Sequence, residues 1–206
     1  MRNRWYVLQS IVRLLAPTRG PAMYFNFGTR KIVEAVAVLL QSAPNRRMGV
    51  LRLLKLLYIA DRESLREVRR PIVGTELAAM RWGPLHGKIY DLTKGSQHRE
   101  ETWDNFIGKR GRDIVLMGEP GCRTLSRYEM DKLKETAKKY RNTSDGELSV
   151  ITHQFPEWVK NDPGNSSKPI PMHDVLEAVG LASEEKDILK DAKRVATFNR
   201  LFGVPS

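Results

Sequence analysis

Between Leu51 and Leu92 the chain reads LRLLKLLYIADRESLREVRRPIVGTELAAMRWGPLHGKIYDL. Apolar residues cover most of a helix here, before the run turns basic, crosses Pro71 and reaches Trp82-Gly83-Pro84. At about 100° per residue, Arg52, Lys55, Arg62 and Arg66 share one narrow stripe. Nearly all the rest is apolar, and Asp61 lies roughly opposite the stripe, among Leu54, Leu57 and Leu65. A buried carboxylate costs several kcal/mol unless it is paired or hydrogen-bonded. A partner for Asp61 is therefore expected, with Arg81, Lys88 and His153 as candidates. Two readings stay open for it: a core ion pair that sets helix register, or a functional carboxylate. The stripe likewise reads as a solvated face or as a contact surface for an acidic partner.

Working outward, Thr29–Gln41 has helical spacing of Ile32, Val33, Val36, Leu39 and Leu40. Ser42 to Asn45 breaks it, and a second helix is expected over Arg46–Glu67. Glu76–Trp82 reads as a short strand or extended lead-in. Pro84 suits the first turn of a third helix. Thr102–Gly118 alternates around a Lys-Arg-Gly-Arg turn and predicts a β-hairpin. Ser126–Glu129 and Ser144–Glu147 are capping-box signals, each followed by a helix. Asn161–Pro171 has loop composition, and two helices over 172–202 close the chain. The fold class is mainly α, one helical domain with a small β-hairpin.

At 206 residues the chain suits one domain. Apolar and charged fractions of 41% and 29% rule out global disorder. Residues 1–22 hold four arginines and no acid and are broken by Pro17 and Pro21, so a secretory signal fits poorly. They read as a loosely attached basic extension, with an amphipathic membrane-surface helix or a transit-like segment as alternatives. The domain then spans 23–206. No run of about 18 uncharged apolar residues exists, so no membrane span is expected.

The net charge of +11 admits nucleic acid, an acidic protein or anionic lipid as partner, but the basic clusters are scattered along the chain. Chemistry is harder to find. His86, His98, His153 and His173 form no metal-binding pair spacing, and the lone Cys122 supports no cysteine-rich zinc site. No phosphate-binding glycine motif is present. Cys122 sits in a turn with no histidine placed beside it. No catalytic, cofactor or metal residue is assigned. Trp82 and Trp103 read as core aromatics or as base-stacking groups.

Three segments carry a family resemblance. Lys55 to Ala60 with Leu57 and Tyr58, then Arg70-Pro71 with Gly74 and Ala79–Pro84 leading to Ile89-Tyr90, then Leu148-Ser149, Thr152-His153 and Trp158. Together, over about 25–160, they resemble the Panacea domain of SocA-like antitoxins. Arg69 departs from the pattern, standing where the family usually has glycine. The resemblance implies a mainly helical, non-enzymatic antitoxin in the cytoplasm of a prokaryote or phage-infected cell. Its partner would be a cognate toxin, neutralised by direct binding, and the family's namesake also works as an adaptor to a protease. On this reading Trp82 plugs the core, Gly83 allows a close bend, Pro84 starts a helix, and His153 and Trp158 pack beside the turn. Lys55, Asp61, Tyr90 and Thr152 belong to the same scaffold. The partner surface would include Arg52, Arg62, Arg66 and the hairpin cations Lys109, Arg110 and Arg112, together with the C-terminal helix. Rival readings are a nucleic-acid-binding regulator of its own operon, and a hydrolase using Asp61 and His153.

Overall fold

A computed structural model describes residues 25, 27–95 and 100–202, so the basic extension over 1–22 and His98 lie outside the described residues. The first helix, α1, runs Thr29–Gln41, the expected span, and Ile32 to Leu40 are all buried. The central helix, α2, runs Val50–Val68. It starts later than Arg46 because Asn45 and Arg46 both have positive φ, 53° and 54°, which no α-helix accommodates. Arg47–Gly49 instead forms a short strand, β1.

The chain then builds β2 (Leu77–Met80), β3 (Gly83–His86) and α3 (Gly87–Lys94). Pro84 is therefore a strand residue and does not open the third helix. Its missing N–H is tolerated because, among the described residues, β3 is an outer strand, in a sheet ordered β3-β2-β6 with β6 at Ser167–Ile170. The last member, β6, lies within the segment whose composition predicted only loop. The expected hairpin is present as β4 (Ile107–Arg110) and β5 (Asp113–Leu116), preceded by the short α4 (Glu101–Asp104). β1 joins it to give a second antiparallel sheet ordered β1-β5-β4.

Both capping boxes form. Ser126 and Glu129 open α5 (Arg127–Lys139), and Ser144 and Glu147 open α6 (Asp145–His153), each side chain bonding the other residue's backbone N–H. The short α7 (Pro156–Lys160), α8 (Met172–Ala178) and α9 (Glu185–Phe202) complete the fold. The protein is mainly α, a single domain with two three-stranded sheets among the described residues.

The larger core joins α1 and α2 to Ile107, Ile114 and Leu116 of the hairpin sheet and to Trp103, Leu133 and Leu148. A second cluster gathers Phe25, Phe27, Leu65, Ala79, Ile170 and Leu176. Helix α2 serves both, which is why it is apolar on nearly every side. Among the described residues no helix is long and apolar enough to cross a membrane.

Candidate functional site

Asp61 is buried and fully engaged. Its Oδ1 accepts from the N–H groups of Ile72 and Val73, both at 2.9 Å, and its Oδ2 from Gly74 at 3.0 Å. Three successive amides thus wrap one carboxylate, an anion nest supplied by the turn after Pro71. Gly74 has φ +47°, and a Cβ there would lie 2.6 Å from Phe25 Cβ, so the nest requires glycine. Arg81, Lys88 and His153 are not its partners. The side chain beside it is His86, whose Nε2 is 3.4 Å from Oδ2 while Nδ1 meets Thr75 Oγ1 at 3.1 Å. Burial pushes the His86 imidazole below its ordinary pKa, against the pull of Asp61. Tyr58, Asp61, His86 and Met172 border a cavity of about 20 Å³, the size of one water molecule.

A second network lies one turn earlier. Glu157, fully buried, accepts from Tyr58 Oη at 3.0 Å and from Arg62 Nε at 2.8 Å. Burial, with the Glu157 carboxylate, raises the Tyr58 phenol well above its usual pKa. Arg52 is bonded to Asp145 at 2.9 Å and to the Tyr140 carbonyl at 3.1 Å. Lys55 is fully buried. Of the basic stripe, Arg66 alone keeps a majority-exposed side chain, 57%. The acids absent from its own helix face arrive from α6 and α7.

The Arg81–Pro84 turn is where these elements converge. Trp158 Nε1 donates to the Met80 carbonyl at 3.1 Å, and His153 Nε2 meets the Arg81 carbonyl at 3.1 Å. Ser149 Oγ donates to the Trp82 carbonyl at 2.7 Å, and Lys55 Nζ to the Pro84 carbonyl at 2.8 Å. The His153 and Trp158 rings lie 4.1 Å apart. Gly83 takes φ +97°, and a Cβ there would fall 2.6 Å from Thr152 Oγ1 and 2.8 Å from Lys55 Nζ. Thr152 is held from below by the Leu148 and Ser149 carbonyls. Four carbonyls of one short segment are therefore fixed by four side chains from three helices.

What this clamp holds is outside the core. Trp82 is 58% exposed, with the Arg81 guanidinium 5.3 Å from its ring centre. It does not plug the interior: fixing its carbonyl and the left-handed Gly83 turns the indole out to solvent. Val150, next to Ser149, and Val159, next to Trp158, are also exposed. Tyr90, by contrast, packs half-buried against the core beneath Lys94. The hairpin cations Lys109, Arg110 and Arg112 are all exposed.

The family model described as Antitoxin SocA-like, Panacea domain, matches residues 53–159. The chain belongs to this family. No curated protein and no solved structure matches it. The Panacea span starts in α2 and ends in α7, and so contains every donor and acceptor of the clamped turn.

Within the Panacea fold, the buried lysine has the most displaced titration at the turn: burial brings the Lys55 ammonium down to about 7. Burial also lowers the His153 imidazole, helped by Lys55 and opposed by the Arg81 carbonyl. Asp61 and His153 belong to separate hydrogen-bond networks, which removes the geometric basis for a shared hydrolytic pair. Glu157 and His86 were not anticipated as parts of the site. The signal was weak, because Glu157 meets Tyr58 and Arg62 across 99 and 95 residues of chain. Among the described residues, His173, Asp174 and Glu177 place ligand-type atoms within 4.8 Å of one another. The Lys160 ammonium already bridges Asp174 and Glu177, at 2.7 and 2.9 Å.

Proposed function

We propose that this Panacea protein is the antitoxin of a toxin–antitoxin pair and neutralises its cognate toxin by direct protein–protein binding, without catalysis of its own. The observation that supports this reading is Trp82, majority-exposed on a turn whose carbonyls are held by Lys55, Ser149, His153 and Trp158. An exposed indole on mobile backbone would lose much of its binding energy to ordering, whereas a clamped one is organised before the partner arrives. Tryptophan and arginine are the residues most often found at the energetic centre of interfaces, and here Arg81 is stacked on Trp82.

This placement also eases an electrostatic difficulty. A toxin that acts on nucleic acid presents a basic surface, and this chain carries a net charge of +11. An anchor that works by apolar and hydrogen-bonding contact does not depend on opposite net charges. The exposed Val150 and Val159 extend the apolar character of the elements that hold the turn. The hairpin cations and the C-terminal helix are free to set which toxin is accepted.

The test is co-expression with the product of the adjacent reading frame. That product should be toxic alone, harmless with this chain, and recovered bound to it. Trp82→Ala should weaken the complex by about 2 kcal/mol or more, roughly thirtyfold, and restore toxicity. A harmless neighbour that does not co-purify, or full protection by the Trp82→Ala protein, would count against the proposal.

A further inference from the structure

The hairpin offers a second surface, of different chemistry from the tryptophan turn. Lys109, Arg110 and Arg112 stand exposed around Gly111, and among the described residues none is paired with a carboxylate. The nearby acids are already engaged: Asp113 with Arg47 of β1, and Asp145 with Arg52. Among the described residues β4 is an outer strand, with β5 on one side and no strand on the other. The Met117 amide donates to the Phe106 carbonyl, which fixes the alternation of bonded pairs along the hairpin. Gly108 and Arg110 turn their backbone groups toward β5, so Ile107 and Lys109 turn theirs outward. Met117, 60% exposed, lies over Gly108, where a side chain would collide with its sulfur, and adds an apolar contact beside the edge.

We propose that the outer edge of β4 receives an extended acidic segment of a protein partner, added antiparallel or parallel as a fourth strand of the β1-β5-β4 sheet. The Ile107 and Lys109 backbone groups supply the ladder, and Lys109, Arg110 and Arg112 supply the charge selection. Charged side chains on an edge repel a second copy of the same strand, which blocks self-pairing. The same charges attract a strand of opposite sign. Nucleic acid would satisfy the cations but not the backbone edge, so a peptide uses more of what is present. The hairpin is also the surface that would select a toxin, but binding of a defined peptide is read without any toxin present, so failure of the toxin reading and failure of this proposal are seen in different experiments.

The experiment uses the full chain labelled with ¹⁵N and a capped octapeptide alternating glutamate and valine. Titration should shift the Ile107 and Lys109 amides and slow their hydrogen exchange. Lys109→Pro, which deletes one outward N–H at an edge position that accepts proline, should weaken binding roughly three- to tenfold more than Lys109→Gln does. Unchanged Val115 and Met117 amides, which face β4, verify that the hairpin is intact in the variants; the exchange measurement on the unaltered chain stands without them. Absence of binding, shifts spread over all basic surfaces without protection of those two amides, or tighter binding of a single-stranded oligothymidylate of equal charge would each overturn the proposal.

Discussion

Lys55 Nζ donates to the carbonyl of Pro84 at 2.8 Å, and the same nitrogen lies 2.8 Å from the point where a side chain on Gly83 would begin. Helix α2 therefore holds the Arg81–Pro84 turn by a buried amine that leaves no space for anything larger than hydrogen at the bend. The exposure of Trp82 follows from that contact.

Replacing Gly83 by alanine tests the contact directly. The φ of +97° and the 2.6 Å approach to Thr152 Oγ1 both oppose a side chain. Unfolding in urea should show a loss of about 2–4 kcal/mol. Thr152→Ala in the same chain should recover the part due to the collision and leave the part due to φ. A Gly83→Ala protein as stable as the parent would remove the argument for a clamped bend.

Lys55 gives the protein a pH signature. Its folded-state pKa, about 7, lies below the ordinary value of 10.5. Between those values the unfolded chain holds a proton that the folded chain has released, so stability rises with pH. Across roughly pH 7 to 10 the unfolding free energy of the parent, minus that of Lys55→Met, should climb by at most about 1.4 kcal/mol per unit. A flat or falling difference would mean the buried amine stays charged.

Asp61→Asn replaces one acceptor oxygen by a donor inside a nest of three donors. The amide group cannot serve Ile72, Val73 and Gly74 together. The expected cost is about 3 kcal/mol, with faster hydrogen exchange at those three amides. Unchanged exchange there would show that the nest holds without the carboxylate.

Arg69 ends α2 in the left-handed conformation, φ +59°, and is bonded to Glu184. Glycine at this position removes the backbone cost but loses an exposed ion pair, while alanine loses the pair and keeps the cost. Thermal melting should rank Gly at or above Arg, and Ala below both, within about 1–2 kcal/mol. Alanine as stable as glycine would show that the conformation carries no strain.

Trp82→Ala should leave folding stability within about 0.5 kcal/mol, because the indole is mostly in solvent. Comparison of acrylamide quenching between this variant and the parent should remove an accessible, red-shifted emission component, while Trp103, 4% exposed, stays protected. A large loss of stability would return Trp82 to the interior.

The correspondence between sequence and structure follows the range of each signal. The period of α1, the capping boxes at Ser126 and Ser144, and the Lys109–Arg112 hairpin turn are written within a few residues, and all appear as read. β6 and the late start of α2 were not legible. β6 is a strand because Ala79 lies beside Lys168, and Asn45 and Arg46 adopt backbone angles that composition does not announce. The family motif marked Lys55, Gly83, His153 and Trp158 as belonging together, but not what they do to one another.

By itself the sequence determined that the chain is a mainly α protein with a buried carboxylate on its central helix, since periodicity and capping are local and the cost of burying Asp61 is general. Only the tertiary structure decided that Asp61 is hydrogen-bonded by three backbone amides, that Arg52 and Arg62 face acids from other helices, and that Trp82 points outward. Each of those outcomes depends on groups brought together from distant parts of the chain, 29 residues apart for Lys55 and Pro84 and 78 for Trp158 and Met80. Burial rewards whichever partner arrives, and only the assembled fold sets which one does.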